Sequence, residues 1–302
     1  MVGVLDVVAI GEILWDIIGA EKHLGGAPFN FGVHCHHMGA RSAIISRVGQ
    51  DELGDEILAR ARELGVDTRL IQRDTEHPTG QVHVTLHADG QPEFDICTEV
   101  AYDYLADDPV ALARVREADV VCFGTLAQRH PVARQSIVTL LEAASQALLV
   151  CDLNLRPPHY SIEVVRASLA RCHLLKLNDD ELRMVQEMLG QDDLNEDRFL
   201  LQLLDAYGLE LVCVTLGARG CILRTPQERV VAPGYPCQVV DTVGSGDAFA
   251  AALVVKYLAG RPLAEVADFA NLVGAYVATQ HGATPAITPA VLIDLINRFD
   301  TL

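Results

Sequence analysis

Short, wholly apolar runs alternate along this chain with longer amphipathic stretches. Val7-Val8-Ala9-Ile10, Ala43-Ile44-Ile45, Val120-Val121-Cys122-Phe123, Leu148-Leu149-Val150-Cys151 and Leu211-Val212-Cys213-Val214 read as strands buried on both faces, since a half-covered strand would alternate apolar with polar residues. Between them, residues 51–64, 132–146 and 179–189 repeat their apolar positions at helical spacing. The alternation predicts an α/β fold, a mostly parallel central sheet with helices on both faces and ligands at the carboxyl ends of the strands. Residues 81–96 break the pattern: Val82, Val84 and Leu86 alternate with His83, Thr85 and His87, and Asp89-Gly90 follows at once. That is a hairpin with one buried face. Alternation does not say what the face covers, so a structural flap and an active-site cover are both open.

Charge narrows the partners. A net charge of -18 over 302 residues is at odds with a basic face for nucleic acid or for a membrane surface. A phosphorylated ligand would be held locally, by N–H groups at a helix start, a few Arg or Lys side chains and a divalent cation. The eight cysteines, at 35, 97, 122, 151, 172, 213, 221 and 237, form no CxxC pair and several sit in apolar runs. They read as buried free thiols of a cytoplasmic protein rather than zinc ligands. The apolar start from Val7 to Ile18 is interrupted by Glu12 and Asp16 and follows no basic segment, which fits neither a signal peptide nor a transmembrane span.

The segment Asp241-Thr242-Val243-Gly244-Ser245-Gly246-Asp247-Ala248-Phe249 runs into Ala250-Ala251-Ala252-Leu253-Val254. Two glycines around a serine let a ligand approach the main chain, and the Ala-rich continuation favours a helix whose N-terminus is an anion site. A carboxylate at Asp247 would face developing negative charge, a place that suits a group removing a proton. The plainer account is a helix-start acid favoured by the macrodipole. The segment lacks the Gly-Lys-Ser/Thr of a Walker A loop and lies too late for a Rossmann fingerprint.

This segment resembles the C-terminal signature of the PfkB, or ribokinase-like, carbohydrate kinase family. Gly25-Gly26-Ala27-Pro28-Phe29-Asn30, Gly39 and Arg47-Val48-Gly49-Gln50-Asp51-Glu52-Leu53-Gly54 are similar to its N-terminal signature. Lys176-Leu177-Asn178-Asp179-Asp180-Glu181 matches its Asn-x-x-Glu motif, and Thr215-Leu216-Gly217-Ala218-Arg219-Gly220 its nucleotide loop. The four motifs keep the family order from about Val7 to Pro289.

The resemblance implies a single ribokinase-like domain over 1–302 and transfer of the γ-phosphoryl group of ATP to a sugar hydroxyl. The 81–96 hairpin is expected to belong to a small β-lid from segments around 12–24 and 79–97, whose exposed strand edges would pair two copies into a homodimer. The resemblance assigns Asp247 as base, with the amides of Gly244, Ser245 and Gly246 as anion hole. Asp16, Gly26, Asn30 and Arg156 would meet the sugar. Asp16 as a surface residue and Arg156 as an ion-pair partner of Asp152 or Glu163 are the alternatives. Asn178, Thr215, Gly217, Gly220 and Asn271 would lie along the nucleotide. Asn178 and Glu181 would act on Mg²⁺ through water, although the same pair reads as a helix cap with an acidic third residue. Asn271 also reads as a polar helix residue near a turn. The family further suggests K⁺ held around Asp241, Val243, Val277, Gln280, Gly282 and Ala286.

Gly11-Glu12-Ile13-Leu14-Trp15-Asp16, Phe123-Gly124-Thr125-Leu126-Ala127-Gln128-Arg129 and Asp152-Leu153-Asn154-Leu155-Arg156 are similar to the fructokinase and 2-keto-3-deoxygluconate kinase branches. Fructose is the expected substrate. A keto sugar acid would need a fixed cation, for which Arg156 and Arg129 are candidates. A non-catalytic sugar or nucleotide sensor on the same fold is the reading from another class. The cluster His34-Cys35-His36-His37 invites a metal through His34 and His37, or else these are packing and surface residues.

Overall fold

The computed structural model describes residues 3–86 and 92–300. The hairpin tip expected at Asp89-Gly90 lies outside the described residues. The chain opens with β1 (Asp6–Ile10), β2 (Leu14–Ile18), β3 (Glu21–Gly25), α1 (Ala27–His37), β4 (Arg41–Gly49), α2 (Glu52–Glu63) and β5 (Ile71–Asp74). The hairpin β6 (Gly80–Leu86) and β7 (Pro92–Ile96) follows, then α3 (Pro109–Arg116), β8 (Val120–Phe123), α4 (Pro131–Ala143), β9 (Leu148–Asp152), α5 (Ile162–Leu169), β10 (Leu174–Asn178) and α6 (Asp179–Met188). The last part holds α7 (Glu196–Tyr207), β11 (Leu211–Thr215), β12 (Cys221–Arg224), β13 (Arg229–Ala232), α8 (Ser245–Leu258), α9 (Leu263–Ala278) and α10 (Pro289–Asp300).

The main sheet has the order β13-β12-β11-β10-β9-β8-β1-β4-β5. It is parallel from β11 to β5, and β12 and β13 close one edge antiparallel. Its apolar runs are continuous because both faces are covered. Val8 and Ile10 of β1 join one buried core with Val121, Phe123, Val212 and Val214, while Val7 and Ala9 join a second with Val120, Cys122, Leu211 and Cys213. The second core is capped by the Ala-rich α8 and by α9, whose small side chains allow close approach to the sheet.

Strands β3-β2-β6-β7 form a separate small sheet. Its root explains much of the segment Arg47 to Gly54. Asp51 caps α2 by accepting from Gly54 N at 2.8 Å, and also takes Thr79 N at 2.8 Å and Thr79 Oγ1 at 2.6 Å. Gly49 N donates to Thr79 Oγ1 at 3.0 Å. A Cβ on Gly49 would lie 2.4 Å from the Asp51 carboxylate, and one on Gly54 would lie 2.2 Å from Gly49 O. Here this part of the signature fastens the start of β6 to the main sheet.

Candidate active site

The carboxyl ends of the parallel strands β1, β9, β10 and β11 lie along one edge of the sheet, where the N-termini of α1, α6 and α8 meet them. Helix α1 begins at Gly26, whose φ of 114° suits glycine. A Cβ there would come within 2.4 Å of Glu12 O, so the turn presses directly on the β1–β2 connection. Helix α8 begins at Gly244 in the left-handed region, φ 78°, with no side-chain cap. Its first N–H groups have no side-chain acceptor, the condition for an anion site.

Asp247, third residue of α8, accepts a hydrogen bond from Asn30 Nδ2 of α1 at 2.8 Å, across 217 residues of sequence. Its carboxyl is pushed up to about 6, chiefly by desolvation and then by the Asp152 charge, against the pull of Lys176, Asn30 and Arg156. The carboxyl is crowded by protein although the residue itself keeps a path to solvent. Beneath it, the buried Lys176 of β10 is paired with Asp152 of β9 at 2.8 and 3.0 Å. Lys176 Nζ lies 3.2 Å from the position a Cβ on Gly246 would take, so an ammonium sits directly under the glycine turn. Asp152 therefore pairs with Lys176 and not with Arg156, as one reading of the sequence had it.

Asp16 of β2 is pushed up to about 6 by desolvation, opposed by the charges of Arg156 and His23. A Cβ on Gly25 would lie 2.5 Å from its Oδ2, which explains the glycine opposite this carboxylate. Arg156 is exposed, and its charge acts on Glu12, Asp16 and Asp247 alike. Arg129 differs. Its Nε and Nη2 hold Asp103 at 2.7 and 2.8 Å, and Nη2 also donates to Cys97 O, so its charge is already answered.

Further along that edge Asn178 caps α6: its side chain accepts from Glu181 N at 2.9 Å, and its own N–H donates to Glu181 Oε2 at 2.8 Å. Glu181 Oε1 accepts from Leu155 N at 2.9 Å. Both Glu181 oxygens are thus engaged by main chain, and no group of three or more His, Cys, Asp or Glu that could hold a metal occurs among the described residues. The donor set fits a water-clad cation shared with phosphates rather than an all-protein cage. It also leaves the histidine cluster of α1 without a metal site.

Thr215 ends β11, and Gly217–Arg219 form a single turn that returns at Gly220, φ 97°. A Cβ on Gly220 would lie 2.0 Å from Ala232 O. Asn271 is buried on α9 and donates to Ala232 O at 3.4 Å and Pro233 O at 3.2 Å, so its amide fastens the end of β13 to the helix. The carboxylate of Asp241 gathers two loops, accepting from Val243 N and Gly282 N, each at 3.0 Å. Val277 O accepts from Gln280 N at 2.9 Å and Ala286 O from Tyr276 Oη at 3.3 Å.

Residues 6–290 match the pfkB family carbohydrate kinase. The chain belongs to that family. It is a phosphotransferase with an alcohol group as acceptor, a carbohydrate kinase of fructokinase-like type. Among its relatives, fructokinase-2 of Oryza sativa subsp. japonica is 30% identical over 320 residues, covering 97% of this chain and 94% of that protein. An uncharacterized sugar kinase from Pyrococcus horikoshii, solved in complex with ATP, is 29% identical with a TM-score of 0.80, covering 93% of this chain and 95% of that one. A fructokinase double mutant from Vibrio cholerae, solved with fructose, ADP and potassium ion, shares the fold at TM-score 0.82 and 23% identity, covering 98% and 99% of the two chains. No described helix is long and apolar enough to cross a membrane.

Sequence reasoning passed over two buried charged residues of this kinase that lie beside the candidate site. Glu12 is 2% exposed and pushed up to about 7, chiefly by desolvation, with Oε2 buried and unpartnered. Lys176 lies between leucines in a strand buried on both faces. In each case the signal was a charge inside or just after an apolar run, which calls for a buried partner, as Lys176 has in Asp152, or for a shift toward the neutral form, as at Glu12.

Proposed function

We propose that this kinase transfers the γ-phosphoryl group of ATP to a hydroxyl of fructose, with Asp247 as general base. The observation that carries this is the Asn30–Asp247 hydrogen bond, because it joins the helix of the glycine turn that would meet the sugar to the helix that would meet the phosphate. Asp247 accepts the hydroxyl proton, the sugar oxygen attacks the γ-phosphorus in line, and the bond to the bridging oxygen of ADP breaks. The N–H groups from Gly244 to Gly246 receive the charge of the transferring group, with Lys176 supporting them from below. Asn178 and Glu181 would hold Mg²⁺ through water, and the ion would supply positive charge to the phosphates. Thr215, Gly217 and Gly220 border the nucleotide, and Asn271 shapes that border by holding Ala232 and Pro233. The loops joined by Asp241 are where K⁺ would sit, among carbonyls of Val243, Val277, Gln280, Gly282 and Ala286.

Asp16, Gly26, Asn30 and Arg156 hold the sugar in this reading, and the small sheet over them acts as a lid whose terminal strands, β3 and β7, could pair with a second copy. Fructose is favoured by the rice relative's name and by the three branch-like stretches of sequence. A keto sugar acid is the second reading, carried by Arg156, an exposed cation whose side chain has no hydrogen-bond or ion-pair partner among the described residues. Arg129 no longer supports it, being held by Asp103. Free thiols throughout the described chain suit a cytoplasmic setting. The test is ADP release with ATP and Mg²⁺ across fructose, ribose, glucose, 2-keto-3-deoxygluconate and nucleosides. Fructose is expected to give the highest kcat/KM, and a clear preference for the keto acid, ribose or a nucleoside would reject it.

A further inference from the structure

The histidine cluster of α1 plays no part in the proposed chemistry, yet one of its members is placed with care. Asn30 and His34 are four residues apart, hence on one face of the helix, and that face looks toward the phosphate end. Asn30 reaches Asp247. His34, 0% exposed, places Nε2 3.0 Å from Ala283 O. A carbonyl only accepts, so Nε2 carries the proton. Desolvation pushes the imidazole down to about 4 and keeps it neutral, and its Nδ1 is buried with no partner. A bare buried acceptor is costly, and an apolar residue would fill the space without it. The hydrogen bond to Ala283 is what an apolar residue could not supply.

Ala283 bears on the glycine turn from its other side. A Cβ on Gly244 would lie 2.2 Å from Ala283 O and 2.7 Å from its Cα, so the two backbones are in contact. Gly282 N is held by Asp241 Oδ2 at 3.0 Å, and Asp241 also takes Val243 N. The segment 241–244 therefore rests on 282–283, and 283 is pinned to α1 by His34.

We propose that His34 is a positioning residue for phosphoryl transfer: it ties the sugar-side helix α1 to the main chain of Ala283, and through the Ala283–Gly244 contact fixes the direction of the N–H groups that open α8. This rests on the reading of Gly244 to Gly246 as the anion hole. It predicts that losing the tie weakens transition-state binding and leaves ground-state binding alone.

The experiment compares the full-length enzyme with His34→Leu, which keeps bulk and loses the donor, and His34→Gln, whose amide can restore it. Measured are kcat, the KM for the best sugar, and the affinity for MgADP with aluminium fluoride and sugar against MgADP with sugar alone. His34→Leu is expected to lower kcat and the affinity gained from aluminium fluoride by about tenfold, with sugar KM within about twofold, and His34→Gln to recover most of both. Should Leu prevent folding, His34→Asn, polar but too short to reach, takes its place with the same expectation. Wild-type kcat and analogue affinity in the Leu or Asn variant would overturn the proposal, as would equal damage in Gln, which would reduce His34 to packing. If aluminium fluoride adds no affinity even in the wild type, the anion-hole reading falls and His34's role falls with it.

Discussion

The two ends of the proposed site are built from different materials. At the proposed sugar end the groups are side chains drawn from distant parts of the sequence, Asp16, Asn30, Arg156 and Asp247 with the buried Glu12 beside them, and desolvation raises three carboxyls well above their ordinary range. At the proposed nucleotide end the shape is largely backbone: Gly217 and Gly220 at positive φ, and a loop on which Val239, Val240 and Val243 stay exposed. The contrast teaches that selectivity and catalysis should fail through different variables. Buried, poorly solvated polar groups discriminate strongly among hydroxyl patterns, because a wrong ligand leaves them unpaired. A backbone cradle is tuned by which positions tolerate a side chain.

The sharpest way to break this comparison is Asp247→Asn. It keeps size and the contact with Asn30 while removing the proton acceptor, so kcat should fall by about 10²–10⁴-fold, with binding of ATP and sugar little changed. Steady-state kinetics beside a thermal melt decide it. Near-normal kcat with a lowered Tm would return Asp247 to the role of helix-start acid. The wild-type kcat/KM should rise as pH climbs through about 6, where this carboxyl ionises.

Next in size is Arg156→Gln, which removes the exposed cation that Asp16 and Glu12 feel. Losing a charge-assisted contact worth about 1.5–3 kcal/mol should raise the sugar KM by about 10- to 100-fold and leave the KM for ATP alone. An equal rise in both would mean that the two ends are not separable in this way.

Gly220→Ala probes the backbone end. Its φ of 97° and the 2.0 Å approach to Ala232 O leave no room for a Cβ. Strain of about 1–3 kcal/mol should distort the turn and raise the KM for ATP, with that for sugar unchanged. Isothermal titration with ATP and with sugar separates the two effects, and unaltered ATP binding would remove this turn from the nucleotide site.

The smallest effect concerns Glu12. A buried carboxyl raised from 4.5 to about 7 stabilises the fold fully below its unfolded value, and that contribution is lost as pH rises through about 7. Glu12→Gln cannot ionise, so its Tm should decline less between pH 5 and pH 8 than the wild type's, and at pH 8 it should melt a few degrees higher. Parallel melting curves would show that Glu12 is not a buried titrating group.

What the sequence determined by itself was whatever local pattern encodes. Continuous apolar runs marked strands covered on both faces, the alternation at 81–86 marked a half-covered strand, and the glycine turn before the Ala-rich stretch marked the start of α8. These depend on neighbours a few residues apart. Ordered motifs then pointed to the carbohydrate kinase family to which the chain belongs. Only the tertiary structure decided which charges answer which. Asp152 pairs with Lys176, Asp103 disarms Arg129, Asp51 anchors Thr79 at the root of the small sheet, and His34 meets Ala283 across 249 residues. The physical reason is that a buried charge or hydrogen bond is settled by distance and desolvation in the folded state, and neither quantity is written in the spacing of residues along the chain.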